Sequence, residues 1–129
     1  FDDDGYVRAL AETCRAHERE RTRARPDATP IRHWVFSFHG LPQRYVDRGD
    51  PYRRHCEATA RALAAAMGLA PTQWTTTFQS RFGPEPWLQP YTDVDIYVSD
   101  RRIAQGEVVV VPCVNDGVGL ARGLARLVE

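Results

Sequence analysis

The sequence predicts an α/β domain in which helices cover a small parallel sheet. Helix-like and strand-like segments alternate along the 129 residues, and helices between strands imply right-handed crossovers that make the strands parallel. The run Val108 to Val111 is apolar throughout, as in a strand that a parallel sheet buries on both faces. The length fits one domain with one core.

The first predicted helix runs from Tyr6 to Arg23. One stripe of this helix faces inward: Tyr6, Leu10, Cys14 and His17. Two prolines in the segment Arg25 to Pro30 cannot continue the helix. A short aromatic and β-branched strand follows over Trp34 to Phe38 and stops at His39-Gly40.

A second helix is predicted from about Pro51 to Met67. Asp50 can cap its free backbone N–H groups, Pro51 suits the first helical position, and Gly68 is a natural stop. Its inward stripe is Cys56, Ala60, Leu63 and Met67.

The second strand is predicted over Gln73 to Phe78 and ends at Gln79-Ser80. The segment after it, Arg81 to Thr92, holds three prolines, a glycine and a tryptophan, and an ordered loop of this length is usually functional. Val94 to Gln105 fits either a strand or a crossover helix. The remaining predicted elements are a third strand over Glu107 to Val111 and a last helix from Asp116 or Gly117 to Val128.

Charge and cysteine content argue against several classes of protein. The 17 basic residues are all arginines and balance 17 acidic ones, so the basic excess of a nucleic-acid-binding protein is absent. Without lysine, Schiff-base chemistry and a P-loop lysine are excluded. Three cysteines without a CxxC motif argue against a zinc site, a redox pair or a disulfide scaffold and favour a reducing compartment, the cytoplasm. The acidic start is no secretory signal, and we expect it to be a cut end.

The strand ends are the expected place for chemistry, because ligands of open α/β sheets bind outside the carboxyl ends of the strands. If the strands are parallel, one edge gathers the polar residues found there: His39, Gln79, Ser80, Asn115 and Asp116. The loop that carries Trp87 leaves the second strand at the same edge. A histidine, a carboxylate, amides and an exposed aromatic ring suit a flat, partly apolar ligand that exchanges protons or a metal.

Five motif blocks stand in order between Ser37 and Asp93. They read SFHGLP (37–42), RY (44–45), GDPY (49–52), FQSRFG (78–83) and PWLQPYTD (86–93). Together they resemble the C-terminal half of the ferrochelatase family, whose members insert ferrous iron into protoporphyrin in haem biosynthesis. That resemblance implies a lyase with a three-layer αβα, chelatase-like (Rossmann-like) domain over residues 1–129, about half of a two-domain family member.

The resemblance also implies roles for single residues. His39 matches the family's catalytic histidine, and an imidazole can accept a pyrrole proton or bind iron at neutral pH. Trp87 matches the active-site tryptophan, whose ring can stack on the macrocycle. Asp116 matches an aspartate of the last family motif if one residue is skipped. Further substrate contacts are expected from Tyr45, Gln79 and Ser80.

Each candidate also has a purely structural interpretation. His39 can be a hydrogen-bonded structural histidine, Trp87 can plug its loop onto the core, and Asp116 can cap the last helix. The same choice between substrate and packing holds for the remaining candidates: Tyr45 with Arg44, Gln79 and Ser80.

The sequence departs from the family at one catalytic position. Gly119 stands where the family opens its last helix with a glutamate, and no acid follows until Glu129. Either Asp116 does the work of that acid, or the chain is impaired, remodelled or inactive. Two alternatives follow: a short homodimeric chelatase acting on another tetrapyrrole such as sirohydrochlorin, and a tetrapyrrole-binding domain without catalysis.

Ferrous iron is expected as a substrate, together with a porphyrin. The resemblance implies a missing N-terminal chelatase domain, or a second copy in its place, and leaves peripheral contact with a membrane open. We expect neither nucleic acid nor an iron–sulfur cluster, because Cys14, Cys56 and Cys113 do not cluster in sequence. All of this requires His39 to lie exposed at the edge of the sheet that also carries Trp87.

Overall fold

Residues 3–93 and 108–113 are described by the computed structural model of the chain. Their helices and strands are α1 (Asp4–Ala24), β1 (His33–His39), α2 (Gln43–Asp47), α3 (Tyr52–Met67), β2 (Trp74–Gln79) and β3 (Val108–Cys113). One turn of 3-10 helix, Pro71–Gln73, precedes β2. The ambiguous segment Val94 to Gln105 and the last predicted helix, up to Val128, lie outside the described residues.

The described strands form a parallel sheet in the order β2-β1-β3. β1 pairs with β2 up to His39 opposite Gln79, and with β3 up to Phe38 opposite Cys113. The predicted α/β class with a small parallel sheet is confirmed. The carboxyl ends of these three strands therefore meet at one edge.

One face of the sheet carries most of the apolar core. Trp34, Phe36 and Phe38 alternate along β1 and are buried. They form a cluster with side chains of α1 and α3: Leu10, Ala11, Cys14, Cys56, Ala60, Leu63 and Ala64. Full burial of a ring such as that of Phe36 contributes about 1.5–3 kcal/mol. The predicted inward stripes are confirmed except at His17, which is exposed.

An aspartate carboxylate accepts a backbone N–H at the start of each long helix. The carboxylate of Asp3 accepts the N–H of Tyr6 at 2.7 Å, and α1 therefore starts before the predicted position. The carboxylate of Asp50 accepts the N–H of Tyr52 at 2.8 Å, but the N-cap residue of α3 is Pro51, so α3 begins at Tyr52, one residue after the predicted position. Gly68 ends α3 with a φ of +67°, a backbone conformation that glycine adopts without strain.

Other local features differ from the prediction. His39 and Gln79 are the last residues of their strands instead of following them, and Pro112 and Cys113 belong to β3. The helix α2 was not predicted, because five residues are too few to show a repeating apolar stripe.

The three cysteines, Cys14, Cys56 and Cys113, are buried and form no disulfide. Burial raises the pKa of the Cys14 thiol to about 12 and that of Cys113 well above its ordinary value. Both thiols are therefore protonated at neutral pH and act as apolar packing groups.

Across the described ranges, no helix combines the length and the apolar character needed to cross a bilayer.

Candidate active site

His39 closes β1, the central strand of the described sheet. Its side chain is exposed, whereas Phe38 just before it is fully buried. In the strand register it lies opposite Gln79, and Ser80 follows directly. The prediction that these three residues share one edge of the sheet is confirmed.

The imidazole of His39 is anchored through one nitrogen. Its Nδ1 lies 3.0 Å from the backbone oxygen of Gly40. Because a carbonyl oxygen can only accept a hydrogen bond, Nδ1 carries the proton in this contact, and the lone pair of the neutral ring is on Nε2. An exposed imidazole with its lone pair on Nε2 can accept a proton or bind a metal ion.

The backbone around His39 is fixed by two further hydrogen bonds. The hydroxyl of Tyr52 donates to the backbone oxygen of His39 at 2.7 Å. The N–H of Gly40 donates to the backbone oxygen of Gln79 at 2.8 Å. These bonds join α3 and β2 to the end of β1, so His39 is held by elements on two sides.

Gly40 allows the chain to pass closely beneath a tryptophan. A Cβ atom at this position would lie 3.1 Å from the backbone oxygen of Gln79 and 3.4 Å from Cε3 of Trp87. A side chain there would force one of these neighbours to move. The indole of Trp87 therefore lies beside the His39-Gly40 segment, as the prediction requires.

Backbone hydrogen bonds hold the loop that carries Trp87. The N–H of Leu88 donates to the oxygen of Leu41 at 2.9 Å, and the N–H of Gln43 donates to the oxygen of Pro86 at the same distance. Trp87 and Pro42 thus form an isolated antiparallel bridge. The long loop is ordered against the residues that follow His39.

The exposure expected for Trp87 is wrong. This residue is only 6% exposed, and the ring of Phe82 lies 5.0 Å from its ring. Phe82 is 75% exposed, so the loop presents this ring to solvent in place of Trp87. Phe82 was not predicted as a site residue, because no local pattern in the sequence distinguishes it from Trp87 as the exposed ring of this loop.

The indole nitrogen Nε1 of Trp87 is buried and finds no hydrogen-bond partner in the described part of the chain. A buried donor without a partner costs about 1–3 kcal/mol. An acceptor outside the described residues or on a ligand can satisfy it.

The two ends of the loop are tied together. The guanidinium of Arg81 donates to both carboxylate oxygens of Asp93, at 2.8 and 3.1 Å, and lies 3.8 Å from the centre of the Tyr91 ring. The hydroxyl of Thr92 makes buried hydrogen bonds with Ser37 at 2.8 Å and Thr77 at 2.7 Å. The loop base is therefore continuous with β1 and β2.

The other predicted contacts line the same region. The backbone oxygen of Gln79 binds Gly40, and Ser80 is exposed, with a φ of +71°. Tyr45 on α2 is 43% exposed. The guanidinium of Arg44 lies 5.1 Å from the Tyr45 ring and 3.3 Å from the Glu85 carboxylate, an arrangement that favours packing for Arg44.

Part of the predicted site falls outside the described residues. Asn115, Asp116 and Gly119 all lie outside the described residues. The role of Asp116 as a catalytic acid therefore stays a prediction. Within residues 3–93 and 108–113, no group of three His, Cys, Asp or Glu side chains is placed to hold a metal ion. Among the described residues, His39 therefore supplies one imidazole at the edge and does not belong to a group of three such side chains.

The sequence of the chain matches those of known proteins. The ferrochelatase family model matches residues 1–114. The chain is 46% identical over 112 residues to a coproporphyrin III ferrochelatase of Streptococcus mutans. The aligned residues make up 87% of the chain and 31% of the relative. The chain is 44% identical over 107 residues to a ferrochelatase of Xanthomonas axonopodis pv. citri, covering 83% and 30%. A ferrochelatase of Alcanivorax borkumensis is 50% identical over 88 residues, covering 68% and 24%.

The chain spans about a third of the length of the curated relatives it matches. The family match ends at residue 114, before Asp116 and Gly119.

Proposed function

We propose, because this chain belongs to the ferrochelatase family, that it supplies the histidine-bearing part of an enzyme that inserts ferrous iron into a porphyrin. The observation that carries this proposal is the state of His39: an exposed imidazole at the carboxyl edge of the sheet, anchored through Nδ1 so that Nε2 holds the lone pair.

The chemistry needs such a group. When one Fe²⁺ enters the macrocycle, two pyrrole nitrogens lose their protons, so the charge is balanced by the release of two protons. Nε2 of His39 can accept these protons one at a time and pass them to water. The same lone pair can instead bind the iron before insertion, but it cannot hold a proton and a metal together.

The aromatic residues supply the surface for the macrocycle in this proposal. Trp87 is held beside Gly40, and Phe82 covers it. A porphyrin that stacks on Trp87 must displace Phe82, whereas one that stacks on Phe82 leaves Trp87 as a support. Tyr45, Gln79 and Ser80 are proposed to contact the substrate from the surrounding edge.

The rest of the enzyme is proposed to close the cleft. The chain is one chelatase-like domain, and an N-terminal chelatase domain or a second copy would form the opposite wall. Asp116 is proposed as the acid that replaces the glutamate missing at Gly119. We place the protein in the cytoplasm.

The two candidate porphyrin substrates differ in their carboxylate groups. Protoporphyrin IX is the substrate that we propose, while one relative is named for coproporphyrin III. A comparison of kcat/KM for the two porphyrins in one metallation assay separates these choices.

The test of the proposal is metal insertion by the full-length protein, followed by porphyrin absorbance. We expect His39→Ala to lower kcat about 100-fold or more, because a positioned general base contributes about 10² to 10⁴ in rate. His17→Ala removes an exposed imidazole from α1 and should leave the rate unchanged. Equal rates for wild type and His39→Ala would contradict the proposal.

A second function follows from Gly119, where the family has its glutamate: a domain that binds a tetrapyrrole without inserting metal. Binding without turnover by the wild type, and turnover by Gly119→Glu, would support it. A homodimer of short chains that metallates sirohydrochlorin is the remaining alternative, and a size measurement with a substrate panel tests it.

A further inference from the structure

We propose that Tyr52 is a positioning residue that fixes the tautomer of His39, an inference that rests on the proposed function. Tyr52 begins α3, and its hydroxyl donates to the backbone oxygen of His39 at 2.7 Å. This bond reaches the backbone of His39, and the backbone is therefore the route by which Tyr52 acts on the imidazole.

The peptide that joins His39 to Gly40 is held at both of its polar atoms. Its oxygen accepts the hydroxyl of Tyr52, and its N–H donates to the backbone oxygen of Gln79 at 2.8 Å. A peptide group is planar, so fixing both its oxygen and its nitrogen fixes the rotation of the whole plane. Loss of either bond allows this plane to turn.

The orientation of that plane determines where the imidazole finds its acceptor. The next carbonyl along the chain is that of Gly40, which accepts Nδ1 of His39 at 3.0 Å. If the plane before Gly40 turns, Gly40 and its carbonyl oxygen move with it. The bond that puts the proton on Nδ1, and therefore the lone pair on Nε2, then weakens.

Tyr52 is itself fixed. Its N–H donates to the Asp50 carboxylate at 2.8 Å, and the N–H of Asp50 donates to the backbone oxygen of Tyr45 at 3.1 Å. The start of α3 is thus tied to α2, which gives the Tyr52 hydroxyl a rigid support.

The test uses the full-length protein labelled with ¹⁵N at histidine. We expect Tyr52→Phe to decrease the share of the Nδ1-protonated tautomer of His39, read from the ring nitrogen shifts. It should also lower kcat for metal insertion about three- to tenfold, the range expected for one hydrogen bond, with KM changed by less than about twofold. Tyr6→Phe, which removes a hydroxyl from α1, is the control and should change neither value.

Two tyrosine analogues at position 52 test the donor without emptying the site. 4-Aminophenylalanine keeps an N–H donor and should retain the wild-type tautomer, while 4-fluorophenylalanine fills the same space without a donor and should behave like Phe. Identical His39 nitrogen shifts with both analogues would overturn the inference, as would equal changes in Tyr6→Phe.

The nitrogen shifts do not depend on metal insertion. A tautomer change in Tyr52→Phe in a protein without metallation activity would contradict the proposed function while supporting the effect of Tyr52 on His39. Unchanged shifts in a protein that metallates porphyrin would overturn the inference and leave the proposed function standing.

Discussion

On the helix-covered face of the sheet, Phe36 and Leu63 are fully buried within one apolar cluster, whereas at the carboxyl edge His39 is exposed and the contacts are hydrogen bonds. The two regions share β1: Phe38 belongs to the first, and His39 to the second. One residue along the same strand therefore separates a region held by packing from a region held by directed bonds.

The helix-covered face is therefore expected to determine the stability of the fold, and the carboxyl edge the geometry of the site. Apolar packing is nearly non-directional and scales with buried area, so losses on the helix-covered face should affect folding first. The bonds around Gly40 fix single atoms, so losses there should affect the geometry of His39 first. Substitutions in the two regions should therefore have different signatures.

The largest effect on folding is expected from Phe36→Ala. Phe36 has no exposed surface and stacks on Trp74 at 5.8 Å between ring centres, so its truncation should lower the free energy of unfolding by about 3–5 kcal/mol. Urea unfolding measures this loss, and the folded fraction should keep its metallation rate. Phe82→Ala, at an exposed ring, should change stability by less than about 0.5 kcal/mol. Similar losses in both variants would abolish the distinction between the regions.

A smaller effect on stability, but a visible effect on metallation, is expected from Gly40→Ala. The added methyl meets the Gln79 oxygen at 3.1 Å and the Trp87 ring at 3.4 Å, and such overpacking costs about 1–3 kcal/mol. Because the displaced groups hold His39, metallation should slow as well. Gly68→Ala is the control: its φ of +67° makes it strained by about 1–2 kcal/mol, but among the described residues the added methyl meets no atom within 4 Å beyond its chain neighbours, and metallation should not change. A normal rate in folded Gly40→Ala would contradict the role of this close approach.

Raising the pH should weaken the helix-covered face. Burial raises the pKa of Cys14 from 9.0 to about 12. The buried thiol therefore makes its full contribution to the free energy of unfolding below pH 9, and that contribution is lost as the pH rises towards 12. The loss is about 1.4 kcal/mol per pH unit within that window. The difference in unfolding free energy between wild type and Cys14→Ala should therefore shrink above pH 9. A difference that stays constant up to pH 11 would contradict the burial of this thiol.

The smallest effect is expected at the start of α1. Asp3→Ala removes the carboxylate that accepts the Tyr6 N–H at 2.7 Å and should lower stability by about 1 kcal/mol. Asp4→Ala, one residue later, leaves that cap intact and is the control in thermal unfolding. Metallation should proceed at the same rate in both variants. A slower rate in Asp3→Ala would contradict the separation between the region that stabilises the fold and the region that holds His39.

The same division explains what the sequence predicts well. The alternation of Trp34, Phe36 and Phe38 and the stripe from Cys56 to Leu63 arise from periodic burial, which a sequence shows directly. Placing His39 and Gln79 together needed only parallel strands, because parallel strands end at one edge.

The details of the edge depend on contacts between residues distant in sequence. Burial of Trp87 and exposure of Phe82 result from the way one loop packs against Gly40, and no local pattern encodes that choice. The bond from Tyr52 to the oxygen of His39 joins a helix to a strand across 13 positions. Asp116 stays a prediction, since it lies beyond the described residues.

We propose that the imidazole of His39 itself performs the proton transfer or binds the metal. Adding free imidazole to the full-length His39→Ala protein during porphyrin metallation tests it most directly. The rate of His39→Ala should rise with imidazole concentration, whereas the rates of wild type and His17→Ala should not. A His39→Ala rate that equals wild type without imidazole, or that stays low at every concentration while porphyrin binding is normal, would contradict it.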